Sequence, residues 1–435
     1  MSESFEVVVI GAGAAGLLAA TRAAERGRRT LLLEKNRKPG VKILMSGGTR
    51  CNLTHSTDAR GIVAAFGSQG SFLHSALAAL GPDELVWMFE AEGVATKVEE
   101  TGKVFPASDR ALDVLLALRR MLDRSGAELR LGTPVTGVRR DGDGYVVETP
   151  DGEINAEKLL ITVGGQSYPG CGTVGDGYAW AKSFGHKIVN PRPALVPLTS
   201  NERWVAELSG VTIPDVLVQV VECDSPPSKG GVRGGIHDAK PLTQPLPSGE
   251  RSRMSRRASF LFTHFGLSGP APMDVSRAIT ERPQAGGWRL VCDFVPSVKE
   301  TEILARLAAE AAQSGKKVVL NILAELAPRR LAEALMTRAG IPLERRAAEL
   351  SRAERNGIVE GLKRTSIAIS GSLGFKKAEV TAGGVSLDEV DSRTMESKLA
   401  PNLYFAGEIL DLDGPIGGFN FQAAFSTGSL AGEKV

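Results

Sequence analysis

The residues whose types and spacing best predict chemistry are three glycines near the N-terminus, Gly11, Gly13 and Gly16, which form a GxGxxG pattern. In such a turn the first glycine permits a tight bend, the second lets the backbone approach a pyrophosphate, and the third lets a helix pack closely on a strand. Glu34 follows 18 residues after Gly16, near the roughly 20 at which an acid meets a ribose. Together these four residues predict a dinucleotide site.

The elements that must position these residues can be read around them. A β-branched apolar run at 6–10 predicts a strand, apolar residues at helical spacing over 17–26 predict a helix, and 29–33 predicts a second strand. A bare GxGxxG could be an ordinary strand-to-helix turn, but the agreement of all these elements favours the dinucleotide. Glu34 favours an adenosine ribose without a 2′-phosphate, because like charges would repel.

The composition is that of a globular chain without a strongly charged partner. The 435 residues predict two or three domains, and 42% apolar and 23% charged residues with a net charge of +2 are ordinary for a soluble protein. No stretch predicts a membrane span and the chain starts with a core strand, so a cytoplasmic location is expected. Four scattered cysteines and five scattered histidines predict no metal site, which leaves the chemistry to an organic cofactor.

A basic stretch with paired glycines follows Glu34 at 35–54. It carries five cationic residues, and its glycines precede a Cys-Asn step, which suggests close approach of the backbone to a ligand. Backbone donors and fixed charges in such a loop predict contacts to a phosphate-bearing ligand. The alternative is an ordinary solvated basic loop.

A second GxGxxG pattern occurs at 170–175, and we interpret it as a loop. Pro169 precedes it in place of a strand, and no acid closes a second strand at the required distance. The sequence therefore predicts one dinucleotide fingerprint and no dedicated nicotinamide domain.

The C-terminal stretch, like the N-terminal one, combines a predicted strand with glycines and an acid. A predicted strand from 403 ends in Gly407 and Glu408, and a glycine turn at 414–418 precedes a closing helix from about 422. The N-terminus of such a helix would stabilise the negative charge of a reduced flavin. A plain terminal helix capped by Asn420 is the alternative, which the N-terminal fingerprint disfavours.

The middle of the chain differs from its two ends in predicted secondary structure. Short predicted strands from about 195 indicate an all-β module, and 299–364 is predicted to be helical. The stretch 225–257 is rich in Pro, Gly, Ser and Arg, and we predict a flexible basic insertion.

Several of these motifs give the chain a family resemblance. It resembles the bacterial NAD(P)/FAD-dependent oxidoreductases also known as aminoacetone-oxidase-like or BaiN/YhiN flavoproteins. The matching segments span the chain outside 225–257 and read VIGAGAAG, KILMSGGTRCNLT, TGKVFP, GGQSYPGCGTVGDGY, FTHFGLSGPAPMDVSR, VTAGGV and LYFAGEILDLDGPIGGFNFQAAFSTG. The resemblance implies an α/β fold with three parts: a Rossmann-like FAD-binding domain at 1–194 and 378–435, a β-barrel-like domain at 195–298 and 365–377, and a helical insert at 299–364.

The resemblance also implies which residues meet the cofactor, FAD. The glycines of the first fingerprint would hold the pyrophosphate and Glu34 the adenosine ribose. Thr49 is a departure, because the family often has a third glycine there. The complete set of expected cofactor residues is Gly11, Gly13, Ala14, Ala15, Gly16, Glu34, Lys35, Lys42, Ser46, Gly47, Gly48, Thr49, Arg50, Cys51, Asn52, Val135, Gly164, Gly165, Gly407, Glu408, Asp411, Gly417, Gly418, Phe419 and Asn420.

The activity implied is hydride transfer through flavin N5, with NAD(P)H as a transient reductant and an activated carbon–carbon double bond as acceptor. Such a reduction needs a proton donor, and the candidates are Cys51, Tyr168 and His264, each of which could instead be structural. Substrates suggested within the family include steroid-like enones and uridine in ribosomal RNA.

Two other functional hypotheses stay open. A ribosomal RNA dihydrouridine synthase would need a basic face, for which Arg37, Arg50, Arg60 and the insertion are candidates. A non-enzymatic flavin-containing binding protein would use the insertion as its working part. The sequence indicates no membrane partner and no metal, and it does not reveal the oligomeric state or the preferred nicotinamide.

Overall fold

The computed structural model describes residues 3–223, 250–283, 287–313 and 316–435. The helices in this part of the chain are α1 (Ala14–Glu25), α2 (Val41–Thr49), α3 (Ala59–Ala65), α4 (His74–Ala79), α5 (Pro82–Ala91), α6 (Ala111–Ser125), α7 (Asp176–Ser183), α8 (Arg203–Glu207), α9 (Pro270–Glu281), α10 (Glu300–Gln313), α11 (Val319–Leu323), α12 (Arg329–Arg338), α13 (Arg352–Lys363) and α14 (Phe419–Lys434). Short 3₁₀ helices lie at Gly67–Leu73, Pro169–Cys171, Ala347–Glu349 and Leu387–Glu389.

The strands follow the same chain order. They are β1 (Glu3–Ile10), β2 (Thr30–Glu34), β3 (Thr54–His55), β4 (Thr96–Val98), β5 (Lys103–Pro106), β6 (Glu128–Leu131), β7 (Gly137–Asp141), β8 (Gly144–Thr149), β9 (Gly152–Ile161), β10 (Ile188–Ala194), β11 (Leu198–Thr199), β12 (Thr212–Cys223), β13 (Glu250–Thr263), β14 (Gly266–Ser268), β15 (Trp288–Asp293), β16 (Thr365–Ile369), β17 (Gly371–Ser372), β18 (Val380–Val385) and β19 (Leu403–Phe405).

The chain forms two compact units, and both chain ends lie in the first. That unit comprises Met1–Pro193 and Ala378–Val435, and the second is Ala194–Lys377. The ends meet because α14 packs on α1 through small residues. A Cβ added at Gly428 would lie 2.4 Å from the Ala15 carbonyl oxygen, so the glycine permits the close approach of the two helices.

The first unit is built on a sheet with strand order β6-β2-β1-β9-β8-β7, to which β19 adds by pairing with β9. The pairs β6–β2, β2–β1, β1–β9 and β9–β19 are parallel, whereas β8 is antiparallel to β9 and to β7. The apolar runs of β1 and β2 are fully buried on both faces, as expected for central parallel strands.

The parallel strands end together at one edge of this sheet. Ile10 at the end of β1 pairs with Leu33 of β2 and with Ile161 of β9, and Ile161 pairs with Phe405 of β19. The residues that follow these strands therefore emerge side by side, as they do in open α/β sheets whose ligands bind beyond the carboxyl ends of the strands. This register brings the N-terminal and C-terminal glycine segments to one place.

The second unit contains a seven-stranded antiparallel sheet in the order β16-β15-β12-β13-β14-β11-β17. Its edge strands are joined only by Ser370 in the chain, but in the described residues no ladder pairs them, so the β-barrel-like sheet is not closed. Helices α10 to α13 share one hydrophobic core with this sheet, in which Leu307 and Leu331 are buried together with Val218 and Leu290.

The expected insertion at 225–257 is partly revised by the structure. Residues 224–249 lie outside the described part of the chain. Residues 250–257 form the first half of β13, which pairs with β12 in register from Cys223 opposite Glu250 to Thr212 opposite Leu261. Backbone pairing in a long hairpin overrides the polar composition that suggested a flexible segment.

Candidate functional site

Two glycines of the first fingerprint are required by the protein itself. Gly11 has φ 102°, and a Cβ there would lie 2.8 Å from the Thr162 carbonyl oxygen. A Cβ at Gly16 would lie 1.8 Å from the Gly11 carbonyl oxygen and 2.5 Å from Thr162 Oγ1. The turn and the start of α1 are thus packed directly against the strand end, as the sequence predicted.

Unlike Gly11 and Gly16, Gly13 is not required to be glycine by contacts within the protein. Its φ of −82° is open to any residue, and a Cβ there would meet no protein atom within 4 Å. It precedes α1 and lines a cavity at the sheet edge. Neither the fold nor the backbone angle requires glycine here, and the absent side chain leaves room at a helix N-terminus that suits an anion. This is the fit expected for the FAD pyrophosphate.

Glu34 ends β2 inside the same cavity and is only 8% exposed. Ala12 N donates to its Oε2 (2.9 Å), and Asn36 N donates to its Oε1 (2.8 Å). The carboxylate therefore fixes the glycine turn to the end of β2. A carboxylate has about four acceptor sites, so acceptor capacity is left for ribose hydroxyls.

The stretch after Gly40, expected as a loop, contains the helix α2, which is interrupted at Ser46, Gly47 and Gly48. Both glycines have positive φ, and so do Thr49 (72°) and Cys51 (63°). A positive φ is costly for residues other than glycine, and such strain is often found at functional sites. The strain at Thr49 falls where the family resemblance would place a third glycine.

Arg50 in this stretch binds other parts of the protein. Arg50 pairs with Glu99 Oε1 (2.6 Å) and Asp109 Oδ1 (3.4 Å), and its guanidinium lies 4.0 Å from the centre of the Phe105 ring. Its charge is therefore balanced locally.

Asn52, with its amide oriented to suit its neighbours, accepts from Gly418 N (2.9 Å) and donates to Thr54 O (3.0 Å). This contact ties the stretch to the C-terminal glycine turn.

The C-terminal turn is held by close packing and by local hydrogen bonds. A Cβ at Gly418 would lie 2.4 Å from the Thr54 carbonyl oxygen, so only glycine fits. His55 Nδ1 lies 3.0 Å from the Gly417 carbonyl oxygen, and its ring stacks on Phe419. Asn420 bridges Gly414, accepting from its N–H (2.8 Å) and donating to its carbonyl oxygen (2.9 Å).

Asp411, another expected cofactor residue, is held by Gln69, whose Nε2 donates to its carbonyl oxygen (2.8 Å) and to its Oδ1 (3.1 Å). Burial raises the pKa of this carboxyl group. Asp411 therefore supports the C-terminal glycine turn through contacts with the protein itself.

The structure gathers part of the expected cofactor set around the cavity. The expected residues that line it are Gly11, Gly13, Ala14, Ala15, Glu34, Lys35, Lys42, Val135, Gly164, Gly407, Glu408 and Asn420. The expected residues that lie outside its lining are Gly16, Ser46, Gly47, Gly48, Thr49, Arg50, Cys51, Asn52, Gly165, Asp411, Gly417, Gly418 and Phe419.

The second glycine pattern, predicted to be only a loop, also lines the cavity through Gly172 and Thr173, and so does Asp176, the first residue of α7 directly after it. The 3₁₀ helix at Pro169–Cys171 overlaps its start and no strand leads directly into it, so it is not a second fingerprint. Lys35 Nζ lies 2.5 Å from Asp176 Oδ2, and Asn36 Nδ2 donates to the Cys171 carbonyl oxygen (3.1 Å). Sequence reasoning missed these residues, although the small residues before an acidic helix start were a usable signal.

The three candidate proton donors lie in different environments. Cys51 is fully buried, and burial raises the pKa of its thiol to about 12, so the thiol keeps its proton at neutral pH. Tyr168 is half-buried with φ 56°, next to the loop that lines the cavity. His264 is exposed at the turn between β13 and β14 in the second unit.

No group of three or more His, Cys, Asp or Glu side chains in 3–223, 250–283, 287–313 and 316–435 could hold a metal ion. Within the same ranges, no helix combines the length and apolar character needed to cross a bilayer.

Comparison with known proteins places the whole chain in one context. The family model described as the HI0933-like protein Rossmann domain matches residues 5–434. A ribosomal RNA dihydrouridine synthase of Escherichia coli K12 is 33% identical, covering 98% of this chain and 96% of that protein. Its namesake in Haemophilus influenzae is 31% identical over 98% of this chain and 97% of that protein. A 3-dehydro-bile acid delta(4,6)-reductase of Clostridium scindens is 29% identical over 98% of both chains.

Proposed function

The chain belongs to the HI0933-like Rossmann family of FAD-binding oxidoreductases, and we propose that it reduces an activated carbon–carbon double bond with electrons from NADH or NADPH. The observation that carries the proposal is Gly13, whose absent side chain leaves the cavity open at the N-terminus of α1. A resident dinucleotide explains a glycine that the fold does not need.

The relatives support this choice of reaction. Their names describe a dihydrouridine synthase and a bile acid delta(4,6)-reductase, and both activities saturate a carbon–carbon double bond. The shared chemistry is more general than either substrate. A double bond conjugated with a carbonyl group accepts hydride at one carbon and a proton at the other.

When bound, FAD supplies the hydride chemistry, and the chain supplies the binding and the electrostatics. Backbone N–H groups at the start of α1 would hold the pyrophosphate, and Glu34 would accept from ribose hydroxyls. The turn at Gly417 and Gly418 leads into α14, a helix of 16 residues whose N-terminus favours negative charge.

The test is anaerobic stopped-flow mixing of the FAD-loaded protein with NADH and, separately, with NADPH. Loss of flavin absorbance with one of them, followed by reoxidation by a conjugated enone or a uridine-containing RNA, is the expected result. A yellow protein that neither nicotinamide reduces would overturn the reductase and favour a non-enzymatic flavin-containing binding protein.

The proton donor is identified by separating the two half-reactions. We propose that one of Cys51→Ala, Tyr168→Phe and His264→Ala keeps FAD and keeps reduction by nicotinamide but loses reoxidation by the acceptor. Unchanged turnover in a variant removes that residue from the mechanism. FAD content, read as the ratio of absorbance at the flavin and protein bands, controls for simple loss of the cofactor.

Ribosomal RNA is the second candidate substrate, because the relatives at 33% and 31% identity carry that activity in their names. Of the expected basic face, Arg37 and Arg60 are exposed, whereas Arg50 is paired with acids. Mass analysis of ribosomal RNA from a deletion strain decides the case. Loss of a dihydrouridine that returns on complementation supports it, and an unchanged nucleoside profile argues for a small-molecule acceptor.

A further inference from the structure

The charges around the cavity are unexpected for a pyrophosphate site, because acids outnumber bases. Its cationic lining residues are Lys35 and Lys42, and its acidic ones are Glu34, Asp176, Glu379 and Glu408. Each lysine lies against an acid: Lys35 Nζ is 2.5 Å from Asp176 Oδ2, and Lys42 Nζ is 2.5 Å from Glu408 Oε2. Both lysine charges are therefore engaged by the protein.

The pair formed by Lys42 and Glu408 is the more enclosed of the two. Its side chains are 27% and 18% exposed, against 32% and 37% for Lys35 and Asp176. A charge-assisted hydrogen bond in such a half-enclosed place is stronger than one in open solvent.

A buried serine and a backbone donor complete the arrangement around Glu408. Ser167 Oγ donates to its Oε1 (2.6 Å), Thr381 N donates to the same oxygen (2.8 Å), and Lys42 Nζ also lies 2.7 Å from Ser167 Oγ. Three donors thus hold a carboxylate that has about four acceptor sites. The remaining acceptor site suits a hydroxyl donor in the cavity.

Glu408 lines the same cavity as Gly13 at the start of α1. Without a counter-ion, its negative charge would repel a pyrophosphate bound in that cavity. A bound pyrophosphate would have its own donors in the backbone N–H groups at the start of α1. Lys42 is therefore not needed there, and its observed partners are Glu408 and Ser167.

We propose that Lys42 is a positioning residue, the fixed counter-ion of Glu408, which holds this carboxylate to accept a hydroxyl of bound FAD, and that Lys42 does not itself bind the pyrophosphate. This inference rests on the proposed function only in requiring FAD to bind. The test measures equilibrium binding of FAD without nicotinamide or acceptor. Its result can therefore be interpreted even if the protein proves not to be a reductase.

The test is a double-mutant cycle on the dissociation constant of FAD, measured by flavin fluorescence quenching on the apo-protein. Lys42→Met is expected to weaken binding about 10- to 100-fold, the range of a charged hydrogen bond. In the Glu408→Gln background the same change should cost less than about threefold, since the charge to be balanced is gone. Lys42→Arg should restore binding to within about threefold.

Lys38→Met is the matched control, because this exposed lysine belongs to the same stretch but does not line the cavity. It should leave the dissociation constant unchanged. An equal loss for Lys42→Met in both backgrounds would show direct contact with the pyrophosphate and overturn the proposal, as would no loss in either background.

Circular dichroism of each apo-protein checks folding. Should Lys42→Met fail to fold, Ser167→Ala takes its place, because it removes a donor to the same carboxylate without removing a charge. Its loss of affinity should likewise vanish in the Glu408→Gln background, and a loss that persists there would contradict the arrangement.

Discussion

The two GxGxxG segments of this protein have the same glycine spacing, but they differ in the elements that flank them and in the contacts around their glycines. At 11–16 the glycines run from the end of a buried parallel strand into the first turn of a helix, and a Cβ added at either of the outer two would collide with backbone atoms. At 170–175 a Cβ added at the first glycine, Gly170, would meet no protein atom within 4 Å, whereas Gly172 and Gly175 have positive φ and face side chains of Asn36 and Gln166. Glycine spacing is therefore informative only together with the elements that flank it.

Both segments nevertheless line one cavity. The first is packed closely against the backbone at Gly11 and Thr162, whereas the second is held by contacts such as the hydrogen bond from Asn36 Nδ2 to the Cys171 carbonyl oxygen. We therefore expect substitutions in the first segment to affect folding or cofactor binding strongly, and equivalent substitutions in the second to have small effects.

The largest effect is expected for Gly16→Ala. The new Cβ would lie 1.8 Å from the Gly11 carbonyl oxygen, so α1 must move away from the strand. The free energy of unfolding should fall by about 3 kcal/mol or more, measured by urea denaturation of the apo-protein. A variant with wild-type stability would contradict the packing that distinguishes the two segments.

Gly13→Ala should separate binding from folding. Its Cβ meets no protein atom and its backbone angles suit alanine, so unfolding should change by less than about 1 kcal/mol. FAD binding should weaken about 50-fold, because the methyl group occupies space that the pyrophosphate needs. Normal FAD affinity in this variant would remove the main support for the dinucleotide at this turn.

The acids associated with the two segments provide the next comparison. Glu34→Gln places an amide N–H against the backbone N–H of Ala12 or Asn36, which should cost about 1–2 kcal/mol of stability and weaken FAD binding about tenfold.

Asp176→Asn is the matched change, and it should cost no more than about 1 kcal/mol because its partner Lys35 is 32% exposed. Equal losses of stability and affinity in the two variants would erase the distinction between the segments.

The smallest effects are expected within 170–175 itself. Gly172→Ala forces a residue to φ 92° and places its Cβ 2.7 Å from Asn36 Nδ2, for a cost of about 1 kcal/mol. Gly170→Ala should have no measurable effect on stability in the same urea denaturation of the apo-protein. If Gly170→Ala proved as costly as Gly16→Ala, spacing alone would be the better guide.

The local parts of the site could be predicted from the sequence. The strand, turn, helix and second strand around Gly11, Gly16 and Glu34 occur as predicted, because apolar period and glycine conformation act over a few residues. The family resemblance added FAD and the joining of the two chain ends. The helix α2 was missed, because the pair Gly47 and Gly48 masked a short helix before it.

The partners of the charged residues were decided only by the tertiary structure. Lys42 meets Glu408 across 366 residues of sequence, and Arg50 meets Glu99 across 49. No local pattern encodes such pairs, because they depend on which strand ends the parallel register brings together. The sequence by itself determined the glycine turn between strand and helix at Gly11 to Gly16, and the fold decided which charges surround it.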